Sequence, residues 1–186
     1  MVIDMIKIVD GWEMLPIDSS DDLWKKFKQQ CIFNPSIEID NQVFSPKAEY
    51  DVYGCSDASL KAEECSDWTT VIRNIFIKVK DKDSHIYIFD WQHSEYKYTP
   101  EIDKGNVNES YFIDDGKGGF NIYLPKFYPD GEYYLFLAKD FRWGYLTDPW
   151  RKQITVYGDE LRNEISRNCE FLKFYPVAVT GKKSSK

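Results

Sequence analysis

Between His85 and Tyr157 the chain alternates short apolar runs with clusters of turn-forming residues, and this alternation most limits the folds open to it. Ile86–Phe89, Tyr96–Tyr98, Tyr111–Ile113, Phe120–Leu124, Glu132–Ala138, Phe141–Leu146 and Gln153–Tyr157 read as strands. Between them stand Trp91-Gln92-His93-Ser94, Asp114-Asp115-Gly116-Lys117-Gly118-Gly119, Pro129-Asp130-Gly131 and Asp148-Pro149-Trp150. Short strands joined by tight turns pair antiparallel, because such a turn reverses the chain. The polar stretch Glu101–Ser110 reads as an exposed loop.

Helical patterns flank this run. Leu23, Trp24, Phe27 and Cys31 fall at helical spacing within Asp21–Cys31. Ser19 or Ser20 would cap that helix, Asp21 and Asp22 sit in its first turn, and Lys25, Lys26 and Lys28 follow, an order that complements the helix dipole. Asn34-Pro35 would end it, and Ala48–Tyr53 reads as a strand closed by Gly54. Trp68, Val71, Ile72, Ile75, Phe76 and Val79 form one apolar stripe and predict a helix over Ser66–Lys80. After Gly158, with Asp159 as cap, Leu161, Ile165, Cys169 and Leu172 predict a third buried helical face. The expected fold is α+β: an antiparallel sheet with helices packed mainly on one face. The 186 residues suit a single domain over 1–180, with the final Gly181–Lys186 as a disordered tail.

Composition narrows function. No apolar run approaches the roughly 20 residues of a membrane span. Met1–Asp10 is broken by Asp4, Lys7 and Asp10, so it does not read as a signal peptide, and a cytoplasmic setting is expected. Cys31, Cys55, Cys65 and Cys169 show no paired spacing, and His85 and His93 are the only histidines; free thiols, no metal and no cofactor are expected. Charge is uneven. Residues 1–67 hold 14 Asp/Glu against 6 Lys/Arg, a net of −8, whereas the other 119 residues net +1. An acidic third repels phosphate backbones, which argues against nucleic acid, and attracts a basic partner. Asp21, Asp22, Glu63, Glu64 and Asp67, at predicted helix starts, are the candidates for that face. A solvated acidic surface is the plainer reading.

Several chemical motifs fail on inspection. Gly116-Lys117-Gly118-Gly119 precedes a strand, so no helix N-terminus meets a phosphate there. Asp81-Lys82-Asp83 opens like a calcium loop, but Ile86 stands where the sharp turn needs glycine. Two stretches mix tryptophans with hydrogen-bonding side chains at strand ends: Asp90-Trp91-Gln92-His93, and Ala138–Gly144 with Thr147-Asp148-Pro149-Trp150. Asp90, Trp91, His93, Arg142, Trp143, Asp148 and Trp150 would line a pocket or interface, or else build structural corners. In the second case Trp143 and Trp150 are both buried. His93 near Asp90 suits a general base, but no nucleophile or metal accompanies it, and an enzyme is not expected.

The strings DWQHSEYKYTP and YPDGEYYLFLAKDFRWGYLTDPWRKQITVYGDEL lie within roughly Ile86 to Leu161. They resemble an uncharacterised bacterial family, number 2716 among domains of unknown function. Trp24–Pro35 adds a W-x-x-F and an N-P-S to the likeness. The family pattern has Gly-His before Pro-Trp, where this chain has Thr147-Asp148, so any role of that histidine is lost here. The resemblance implies membership without an activity. Size, acidity and aromatic content fit an immunity-type protein that neutralises a cognate basic toxin domain by stoichiometric occlusion. The alternative is a small-molecule-binding or hydrolytic domain using the two stretches.

Overall fold

The computed structural model describes residues 5–55, 62–104, 110–114 and 118–180, without the side chains of 17–19, 62–67 and 178–180. The elements run β1 (Ile6–Val9), β2 (Trp12–Met14), α1 (Ile17–Gln30), β3 (Cys31–Phe33), β4 (Phe44–Pro46), β5 (Tyr50–Cys55) and α2 (Ala62–Val79). Then come β6 (Ile86–Asp90), β7 (Glu95–Tyr98), β8 (Ser110–Ile113), β9 (Phe120–Tyr123), β10 (Tyr134–Ala138), β11 (Gly144–Asp148), β12 (Gln153–Tyr157), α3 (Asp159–Leu172) and β13 (Phe174–Thr180). Nine strands make one antiparallel sheet in the order β1-β2-β7-β6-β10-β11-β12-β5-β13, while β3–β4 and β8–β9 are separate two-stranded ribbons. The fold is α+β, with the sheet antiparallel as expected.

The middle of the sheet shows why it needs two covers. All five residues of β10 are buried. Tyr134, Phe136 and Ala138 join one core with Trp68, Ile72 and Phe76 of α2 and Leu161 and Ile165 of α3. Leu135 and Leu137 point the other way, into a second core with Leu23 and Phe27 of α1 and Phe44 of β4. A strand apolar on both sides must be covered on both. Two of the three described helices, α2 and α3, share one face, and α1 with the β3–β4 ribbon closes the other.

Local differences from the sequence reading have local causes. α1 starts directly after Pro16, so Ser19 and Ser20 lie inside the helix and Pro16 holds the N-cap position. Cys31 leaves the helix to open β3. α2 begins at Ala62, ahead of Ser66. β5 continues through Gly54, where a Cβ would stand 2.2 Å from the Tyr175 ring; the strand uses glycine to admit that ring. β11 begins at Gly144 because Phe141 takes a left-handed φ of 62° in the preceding turn and buries its ring against Tyr87 and Phe89. The expected loop over Glu101–Ser110 begins as a tied strap. Asp103 is buried, accepts a 2.6 Å bond from the Tyr98 hydroxyl, and offers its carbonyl to Arg73 at 3.0 Å. The rest of that loop, 105–109, lies outside the described residues, as does the tail 181–186. Among the described residues, no helix is long and apolar enough to cross a membrane.

Candidate functional site

β6 and β11 end, and β10 begins, at one end of the sheet. Asp90 sits opposite Tyr134 in the β6–β10 ladder, and the Trp91 amide donates to the Tyr133 carbonyl at 3.2 Å. On the other side of β10, the buried Thr147 hydroxyl accepts from the Tyr134 amide at 2.9 Å and donates to its carbonyl at 3.2 Å. The Asp90-Trp91-Gln92-His93 turn, the approach to β10 and the Asp148-Pro149-Trp150 turn thus open side by side.

Asp148 organises one part of this end. Its carboxylate accepts the Trp150 and Arg151 amides at 3.1 and 3.2 Å and pairs with the Arg151 guanidinium at 2.9 Å, both side chains being 6% exposed. Burial pushes the Asp148 carboxyl up, against the pull of Arg151. Arg151 spends its other donors on the Ser36 and Ile39 carbonyls, each at 3.1 Å, and on the Glu38 carbonyl. Tyr133 adds a 2.8 Å bond from its hydroxyl to the Ser36 carbonyl. A buried ion pair is stabilising only when its remaining donors and acceptors are satisfied, and here they hold an otherwise irregular loop. That loop and the two turns enclose a cleft of about 580 Å³. Trp91 and Trp150 line it, 36% and 57% exposed, with Glu38 and Glu132 among the polar walls. Ile37 and Ile39, 68% and 76% exposed, extend the apolar surface along the loop.

Asp90 and His93 belong to a neighbouring cavity of about 640 Å³, which shares Gly131 and Glu132 with the cleft. Strand β9 of the β8–β9 ribbon lines it from Phe120 to Tyr123, and its lining includes Tyr96 and Tyr134. The His93 Nδ1 lies 3.0 Å from the Asp90 carboxylate, with Asp90 side chain 6% and His93 59% exposed. Burial raises the Asp90 carboxyl above its ordinary range despite the hydrogen bond to His93. The hydrogen bond to Asp90 raises His93 above the ordinary imidazole value. Both groups therefore hold protons more tightly than they would in water.

The remaining candidates lie elsewhere. Arg142 sits at the opposite end of β10 and β11, bonded to Asp81 at 2.8 and 3.0 Å and to the Val79 carbonyl at 3.2 Å, where it ties the hairpin to the end of α2. Trp143 is 1% exposed and stacks on Phe76 at 5.6 Å, inside the core. The seven residues read as one pocket are thus split between a cleft, a cavity, a clamp and the far end of the sheet. Of the acidic candidates, Asp21 and Asp22 are exposed on α1, and Asp22 pairs with Lys25 at 3.1 Å. Glu63, Glu64 and Asp67 belong to the first turns of α2, on the other side of the sheet, and their side chains lie outside the described residues. The acidic stretches therefore flank the sheet on two sides. Sequence reading missed Arg151, Tyr133 and the loop of residues 36–41. The Asp-x-x-Arg spacing of Asp148 and Arg151 across a turn was the available signal.

Burial pushes the Cys31 thiol up to about 12 and the Cys55 thiol higher still, so neither is a nucleophile at neutral pH. Among the described residues, no three His, Cys, Asp or Glu side chains gather closely enough to hold a metal.

The family described as "Protein of unknown function (DUF2716)" matches residues 15–162. The uncharacterised protein YxiI of Bacillus subtilis (strain 168) is 29% identical over 169 residues, covering 87% of this chain and 96% of that protein. No solved structure matches the chain.

Proposed function

The chain belongs to the DUF2716 family, and on that premise we propose that it is a binding protein of the immunity type. It captures a basic toxin domain in the bacterial cytosol and occludes that domain's working surface one to one. The observation that carries this reading is the pair of exposed tryptophans, Trp91 and Trp150, each on its own turn beside an acidic cleft whose remaining wall is the loop braced by Arg151. Exposed rigid aromatics at a braced surface supply contact area with little entropy to lose, which is how binding anchors work. Glu38 and Glu132 stand beside them, and Asp21, Asp22, Glu63, Glu64 and Asp67 add to a chain charge of −7. Such acids draw in a basic partner and set the encounter rate more than the final affinity.

The test uses the polypeptide encoded directly upstream, purified and mixed with this protein. A one-to-one complex that abolishes the toxicity of that polypeptide supports the proposal; its unaltered toxicity in the presence of excess protein refutes it for that pair.

A further inference from the structure

We propose that the cavity between the Asp90–His93 turn and the β8–β9 ribbon binds an organic cation, an alkylammonium or alkylguanidinium group. At about 640 Å³ it has the size of a small-ligand site. Tyr96 and Tyr134, both buried, and Phe120 and Tyr123, exposed on the ribbon, give it four aromatic rings. Ring faces attract cations, and more strongly where water is partly excluded. The charges agree. Lys126 is the one lysine among the lining residues and faces Asp130 at 3.7 Å, an aspartate that also meets Lys152 at 3.8 Å, so Asp130 is already engaged by lysines. That leaves Asp90, 5% exposed, and the half-buried Glu132, which forms no salt bridge among the described residues. An anion would meet two carboxylates here. A wholly apolar ligand would leave Glu132 uncompensated and Asp90 with only its His93 hydrogen bond on that side. A cation with a short alkyl stem satisfies both the acids and the rings.

His93 makes the site sensitive to pH. It faces Asp90 across the hydrogen bond and feels Glu132, while Tyr96, Tyr134, Tyr123, Lys126 and Asp130 complete the ionisable lining. Protonated, it fills the role of the cation itself. Neutral, it no longer offsets the charge of the acids, which then falls to the ligand. Ligand and proton therefore compete.

The probe is butylguanidinium, titrated into the full chain while the His93 ring is followed by NMR, with butyl sulfate as the anionic counterpart. The expected result is saturable binding at about pH 8, a downward move of the His93 pKa on binding, and affinity roughly tenfold weaker at about pH 5.5. Glu132→Gln, which removes the charge while keeping the size of this half-buried side chain, weakens binding severalfold, and butyl sulfate does not bind. Nα-acetylarginine amide separates the two sources of such a group. Binding as tight as butylguanidinium means a side chain presented by another polypeptide, and binding of butylguanidinium alone means a free small cation. No saturable shift at about pH 8, equal binding of butyl sulfate, or affinity independent of pH overturns the proposal. None of these readouts involves a toxin domain, so this site and the partner-binding face stand or fall separately.

Discussion

Trp143 and Trp150 are alike in sequence, each beside a turn and among polar residues, yet they do different work. Trp143 is held between Phe76 of α2 and the sheet, so Trp143→Ala removes a core ring and should destabilise by about 3–5 kcal/mol. Trp150 is 57% exposed, and Trp150→Ala should cost under about 1 kcal/mol. Urea unfolding of the two variants checks both. A severe loss at Trp150 would mean that its ring is structural and no anchor. The distinction was invisible in sequence because the partner that buries Trp143 comes from a helix far earlier in the chain. His93 is the residue with a pH signature. Its pKa is raised in the folded protein, so the pair with Asp90 contributes most below the ordinary imidazole value, and that contribution is lost as pH rises through the raised one. The raised Asp90 carboxyl acts with the same sign, favouring the folded state towards acid. NMR titration should place His93 above 6.5, the ordinary value, and Asp90→Asn should bring it down. A His93 that titrates identically in both proteins would remove the dyad.

At the scale of elements, the strands from β6 to β12 were legible because their patterns are local: apolar runs between Gly, Pro and Asp turns. β1, β2, β3, β4 and β13 were not read as strands. They are short, or interrupted, as β13 is by Pro176 next to a register shift, and their place in the sheet is set by neighbours distant in sequence. Cover on both faces was implicit in the unbroken apolar run of β10, which alternating half-buried strands do not show. The clamp was the least legible feature, since three of the acceptors of Arg151 are backbone carbonyls that no motif marks. Arg151→Ala should leave Asp148 buried and unpaired, at a cost of about 3–5 kcal/mol. It should also release residues 36–41, seen as faster amide exchange there than in β10. Protection unchanged across 36–41 would show that Tyr133 braces the loop without Arg151.

For the molecule as a whole, the sheet places the tryptophan-lined cleft at one end, with acidic residues of α1 and α2 on its two sides. In the proposed reading, the acids steer a partner from a distance and the tryptophans anchor it at close range. Exposed acids are screened by salt, whereas a ring seated in a partner's pocket is not. The two contributions should therefore separate in the kinetics. The decisive measurement is association and dissociation of this protein and the upstream-encoded polypeptide at low and high salt, with wild type, Trp150→Ala, and a variant carrying Asp21→Lys, Asp22→Lys and Glu132→Lys. The account predicts that Trp150→Ala leaves association nearly unchanged but speeds dissociation by roughly thirtyfold, the loss of an anchor worth about 2 kcal/mol. The charge-reversed protein should associate more slowly, with a flatter salt dependence and little change in dissociation. A complex whose rates are the same in all three proteins, or no complex at all, would contradict it.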